Sequence, residues 1–215
     1  MKNSSKTIIA WLSIGSTYTY LTALRLEDIK KSENLALLIK PFSKRSIMRT
    51  QGNIPFPPEK QEKTKYMWRD IERRAQKYAL PVPKTPVPYP LQNFDLANKV
   101  GLVANNEGWY LEYLREAYKV WFLEGKEAGS EQNLKNTLPN LSKNFYETIE
   151  KSKEQTIDKQ YISNTDEALN KGIFAAPSFS VGNEIFWGDD RLEDAINFYR
   201  ETVKKTEQFL KIHFQ

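Results

Sequence analysis

Ser16 opens the run Ser16-Thr17-Tyr18-Thr19-Tyr20-Leu21, directly after the apolar stretch Ile8 to Ile14 and before a helical pattern carried by Leu21, Leu24 and Ile29. That order predicts a strand-to-helix junction. A hydroxyl there has two roles open to it. It caps the helix by accepting from the first free backbone N–H groups, or it joins those groups and the positive end of the helix dipole in holding an anion or a thiolate. Ser16 and Thr17 are the candidates for the capping role. A second helix start lies at Gly188-Asp189-Asp190-Arg191, where Asp190 and Glu193 have the spacing of a capping box.

Composition removes most other chemistry. The 215 residues contain no cysteine and a single histidine, His213. Disulfides, thiolate-held zinc, a cysteine nucleophile and a multi-histidine metal site are therefore excluded. His213 sits in a C-terminal helical pattern and reads as a surface or packing residue. The net charge of +5 permits anion binding, but Lys and Arg alternate with Asp and Glu, as in Arg69-Asp70-Ile71-Glu72-Arg73-Arg74. Such runs read as solvated helix faces, so no nucleic-acid partner is expected. Lys2 and Lys6 before a short apolar run loosely resemble a secretory signal, but the run is strand-like and lacks a small-residue cleavage pattern. The expectation is a cytoplasmic protein with no membrane partner.

These residues must be positioned by a recognisable order of elements. Leu35 to Phe42 is a short apolar run closed by proline, and with the first strand and helix it predicts a parallel βαβ unit. From about Ser43 to Ser163 strand-like runs vanish. A helix is expected from Pro58 or Glu59 to Tyr78, then a stiff, extended connector through Pro81 to Pro90. Further helices are expected over 94–104, 108–122, 131–137 and 138–154, with Leu111, Leu114, Tyr118, Trp121 and Phe122 as core or dimer interface. The last part predicts a helix over Thr165–Lys171, a hairpin turning at Gly182-Asn183, and a final helix. The order βαβ, helical block, αββα is that of an α/β thioredoxin-like fold with a large all-helical domain inserted between its halves. Residues 1–42 and 164–215 would form the discontinuous thioredoxin-like domain, and 43–163 the insertion.

Four segments then carry a family resemblance: Ser16-Thr17-Tyr18-Thr19-Tyr20-Leu21; Lys40-Pro41-Phe42 with Gly52-Asn53-Ile54-Pro55; Gly172-Ile173-Phe174-Ala175-Ala176-Pro177-Ser178-Phe179; and Phe186-Trp187-Gly188-Asp189-Asp190-Arg191-Leu192. Jointly they resemble the 2-hydroxychromene-2-carboxylate isomerases and kappa-class glutathione transferases of the DsbA-like group. The resemblance implies glutathione as cofactor, with Ser16 as the hydroxyl that stabilises its thiolate and with Thr17, Tyr18, Asn53, Ala176, Pro177, Asp189 and Asp190 around it. Pro177 is expected to be cis, presenting the backbone of Ala176 to the tripeptide. The final helix start suits the γ-glutamyl carboxylate, and Asp190 its amino group. Serine forms no mixed disulfide, so the ligand's sulfur stays free to react.

The implied activity is a glutathione-dependent isomerisation of an aromatic-derived acid. Arg49 or Lys44 would hold the substrate carboxylate and Tyr18 or Trp11 flank its ring. The resemblance also implies a homodimer. Departures fall mainly on the substrate side: Thr17 replaces a proline, Ser43-Lys44-Arg45-Ser46 replaces an apolar, glycine-containing run, Arg49 replaces a lysine, and Ser13-Ile14-Gly15 lacks the customary aspartate. Two alternatives stay open, a kappa-like transferase or peroxidase that consumes glutathione, and a non-catalytic DsbA-like binding protein.

Overall fold

The computed structural model describes residues 7–54, 56 and 58–213. The secretory reading of Lys2 and Lys6 therefore lies outside the described residues, and so does Pro55. The side chain of His213 is also not described. Among the described residues no helix is long and apolar enough to cross a membrane.

The expected βαβ unit is present. Strand β1 (Ile8–Leu12) leads into helix α1 (Thr19–Ser32) and then strand β2 (Leu37–Pro41), which pairs parallel to β1. Strands β3 (Ser178–Val181) and β4 (Glu184–Trp187) form the hairpin, and β3 lies antiparallel to β1, giving the order β2-β1-β3-β4. Gly182, at φ 59°, supplies the left-handed turn position that a two-residue hairpin loop needs.

Strand alternation divides the core. Ile8, Ala10 and Leu12 enter the large cluster shared with the helices, whereas Trp11 points to the opposite face beside Phe42, Ile47 and Ile173. Between β2 and β3 the chain is helical: α2 (Lys44–Thr50), a 3₁₀ turn at Pro58–Lys60, α3 (Gln61–Lys77), α4 (Phe94–Asn106), α5 (Tyr110–Glu124), α6 (Glu131–Asn140), α7 (Phe145–Ser152) and α8 (Gln155–Asn170). A 3₁₀ turn at Asp189–Arg191 leads into α9 (Leu192–His213).

Several expectations shift. Helix α8 begins ten residues before Thr165, so a domain boundary at 163/164 cuts through a continuous helix. The segment expected at 138–154 is shorter, because Ser142 takes a positive φ of 57° and ends the helical path before Asn144 caps α7. The proline connector is extended as expected, and it is packed rather than free. Val87 and Leu91 are buried, Tyr20 donates to the Pro81 carbonyl at 2.5 Å, and Trp121 donates to that of Pro88 at 2.8 Å. Thr85–Pro86 and Tyr89–Pro90 are cis. The aromatic stripe of α5 is core: Tyr118, Trp121 and Phe122 are fully buried within the chain, with Tyr20 stacked on Phe122 at 4.4 Å. These rings are not available as an interface.

Candidate active site

Segments far apart in the chain converge on one open cavity of about 650 Å³. At its floor is the loop between β1 and α1. The Ser16 hydroxyl donates to the Ala176 carbonyl at 2.5 Å and is buried. Neither Ser16 nor Thr17 caps α1. The N-cap residue is Tyr18, with no side-chain cap, and the first amides of α1 are satisfied by backbone: Thr19 N–H by the Ser16 carbonyl and Tyr20 N–H by that of Thr17. The amides of Thr17 and Tyr18 take no partner among the described residues, which leaves two N–H donors beside the hydroxyl.

The helical insertion holds this loop in place. Asn98 of α4 is buried and clamps Ile14 from both sides, accepting from its N–H at 2.8 Å and donating to its carbonyl at 2.9 Å. Tyr118 of α5 donates to the Ser16 carbonyl at 2.7 Å. Burial holds the Tyr118 phenol well above its ordinary range, so it keeps the proton it donates. From α3, Met67 Sδ accepts from the Thr17 hydroxyl at 3.0 Å and Asp70 from the Tyr18 phenol at 2.9 Å. Met67, Asp70 and Arg74 are three and four residues apart, which places them on one face of α3.

The opposite wall comes from the last segment. Ala176–Pro177 is cis, as expected. The Pro177 carbonyl accepts from Gly188 N–H at 3.0 Å, binding that turn to the 3₁₀ start of the final helix. Gly188 has φ 116°, a backbone angle that favours glycine, and a Cβ there would stand 2.4 Å from Asp190 Oδ1 and displace that carboxylate. The capping box does not form. Glu193 instead pairs with Arg25 of α1, and Asp190 faces the cavity half-exposed.

Asp189 is the buried acid of the site, its side chain 1% exposed. One carboxylate oxygen accepts from Arg74 at 2.7 Å, and the other, Oδ1, has no partner among the described residues. Burial pushes the Asp189 carboxyl up to about 7; Arg74 opposes this and the neighbouring Asp190 adds to it. The group therefore titrates near neutrality.

Helix α2 supplies the remaining wall. Ser43 caps it by accepting from Ser46 N–H at 3.2 Å. Lys44, Met48 and Gln51 then share the face toward the cavity, followed by Asn53, Ile54 and Phe56. Tyr89 of the connector closes this end.

Of the residues singled out in the sequence, Ser16, Thr17, Tyr18, Lys44, Asn53, Ala176, Pro177, Asp189 and Asp190 all line this cavity. Two do not. Trp11 is fully buried on the far face of the sheet, its indole donating to Ser180 Oγ at 3.0 Å. Arg49 follows Met48 by one residue, about 100° around the helix, and opens onto a separate cleft with Asp95, Lys99 and Asp158. Asp70 and Arg74 were hidden in a charged run that reads as a solvated face. Their signal is the helical spacing from Met67, which sets them apart from the exposed Arg69 and Arg73.

The model of the DSBA-like thioredoxin domain matches residues 7–200. A relative from Sphingobium xenophagum, a 2-hydroxychromene-2-carboxylate isomerase, is 25% identical over 191 residues, covering 88% of this chain and 95% of that one. A solved structure of selenomethionine 2-hydroxychromene-2-carboxylate isomerase superposes with a TM-score of 0.80 at 18% identity, over 94% of this chain and 98% of that one. The cytosolic disulfide reductase DsbM of Pseudomonas aeruginosa aligns with a TM-score of 0.60 at 12% identity, over 94% and 99% of the two chains. At these identities the solved structures show the shared fold. With a family match that runs from β1 into the final helix, the chain belongs to the DsbA-like thioredoxin-domain family.

Proposed function

We propose that this protein is a glutathione-dependent isomerase of the 2-hydroxychromene-2-carboxylate isomerase type. The observation that carries the reading is Ser16: a buried hydroxyl on the cavity floor, beside two free amides, in a chain with no cysteine. Thiol exchange through the protein is closed to such a site, so any sulfur chemistry needs a ligand's thiol. Likeness to an isomerase along 95% of that relative's length supports the choice among thiol reactions.

The residues present suit glutathione. The orphaned Asp189 Oδ1 and the half-exposed Asp190 offer acceptors for an ammonium, and Arg74 a cation for a carboxylate. The close approach of Gly188 to Asp190 fixes that corner. When bound, glutathione supplies a thiolate that adds to the substrate and departs unchanged. Ser16 and the amides of Thr17 and Tyr18 lower the thiol's proton affinity by donating toward the sulfur. The backbone at Ala176–Pro177 lines up the peptide, and Asn53 closes over it. Of the two cations considered for a substrate acid, Lys44 lines the cavity and Arg49 does not.

The test is a product assay with a 2-hydroxychromene-2-carboxylate and catalytic glutathione. The isomerase reading expects the ring-opened isomer with the glutathione pool unchanged. Stoichiometric loss of glutathione would instead identify a transferase, and absence of glutathione binding a non-catalytic relative.

A further inference from the structure

Lys44 occupies an unusual setting. It lines the cavity with Met48 and Tyr89, and its stem also borders a narrow crevice formed with Ser13, Ile14 and Phe94. No carboxylate or other acceptor engages its Nζ among the described residues. Its chain neighbour Arg45 is fixed beside it, donating to the Leu91 carbonyl at 3.2 Å and lying 4.2 Å from the centre of the Phe94 ring. Asp95, an acid near Arg45, is taken by the Tyr161 phenol at 3.0 Å. A lysine with apolar walls, an adjacent cation and no acid to hold its proton is a lysine made nucleophilic.

We propose that Lys44 is a carbonyl-condensing amine, a second reactive group of the cavity that captures a small aldehyde or ketone as an imine. The neutral Nζ attacks the carbonyl carbon, forming the C–N bond while the C=O π electrons move to oxygen. The resulting carbinolamine loses that oxygen with the two former N–H hydrogens as water, leaving C=N. The step is reversible by hydrolysis and needs no oxidant or reductant. The apolar walls that Met48 and Tyr89 give the cavity beside Lys44 favour aryl or alkyl carbonyl compounds. Burial, reinforced by Arg45, lowers the Lys44 ammonium to about 8, so a useful fraction of neutral amine exists at physiological pH. The inference rests on this corner alone and does not depend on glutathione.

Reductive trapping tests it. The protein is incubated with benzaldehyde and sodium cyanoborohydride near neutral pH, and adducts are located by peptide mass mapping over time. Lys44 is expected to label about tenfold faster than the exposed Lys63, the gain in neutral amine outweighing the lower basicity. Its rate should rise toward pH 8 and then level off. Labelling of Lys44 no faster than Lys63 would overturn the proposal. In Lys44→Arg, which keeps the charge, the fast site should disappear; a fast site that persists there assigns the reactivity to another lysine and also overturns it.

Discussion

The Ser16 hydroxyl donates to the Ala176 carbonyl at 2.5 Å, joining positions 160 residues apart at the residue that precedes cis-Pro177. The bond explains why Ser16 is buried yet lines a cavity. Its proton is already directed across the site, while its oxygen and the amides of Thr17 and Tyr18 remain available at the floor. A thiolate arriving there competes with the Ala176 carbonyl for the hydroxyl proton. When the hydroxyl turns its one proton to the thiolate, the Ala176 carbonyl is released to accept a peptide N–H, so the two roles are compatible.

Tyr118→Phe removes one of the two donors to the Ser16 carbonyl and leaves the Thr19 amide as the other. The ring stays in the aromatic core. Stability should fall by about 1 kcal/mol, read as a lower urea midpoint with unchanged slope.

Arg74→Met takes away the guanidinium 2.7 Å from Asp189 and leaves a buried carboxylate uncompensated. A loss of about 3 kcal/mol is expected at pH 8, where the acid is ionised, and a smaller loss at pH 5, where it is protonated. Thermal melts at the two pH values check this. Equal losses would show that Arg74 acts through packing alone.

Asp189→Asn should change how stability depends on pH. The native carboxyl titrates near 7, above its unfolded value, so between about pH 4 and 7 the folded state holds the extra proton. Its contribution is fully present below that window and is lost as pH rises through it. The melting temperature of Asp189→Asn relative to the parent protein should therefore climb from pH 5 to pH 7.5. A constant difference would mean that Asp189 does not titrate there.

Gly188→Ala places a methyl group 2.4 Å from Asp190 Oδ1 at a backbone angle that disfavours a side chain. The expected outcome is weaker glutathione binding by roughly tenfold, because one acidic corner is displaced. Calorimetry on the variant and on Asp190→Asn should show losses of similar size.

Much of this architecture was legible because it rests on local signals. Alternating apolar runs, the Gly182-Asn183 turn and the long periodicity of α3, α4 and α5 identify elements whose order limits the fold. Helix α2 was not legible, since seven residues carry too few turns for a periodic signal. That omission misplaced Arg49, whose direction depends on the phase of α2 relative to Lys44. Trp11 was misread for a related reason: its apolar neighbours on both sides conceal which face of β1 it takes. Asn98 and Tyr118 reach the site only through tertiary packing, and nothing in their immediate sequence ties them to the loop they hold.

Ser16 is proposed to stabilise a ligand thiolate. The most direct measurement is the thiol pKa of protein-bound glutathione, followed by ultraviolet thiolate absorbance against pH, in the parent protein and in Ser16→Ala. The bound thiol is expected well below the ordinary value of about 8.5 in the parent protein, with a clear rise in Ser16→Ala while glutathione stays bound. An identical thiol pKa in both proteins would contradict that role for Ser16.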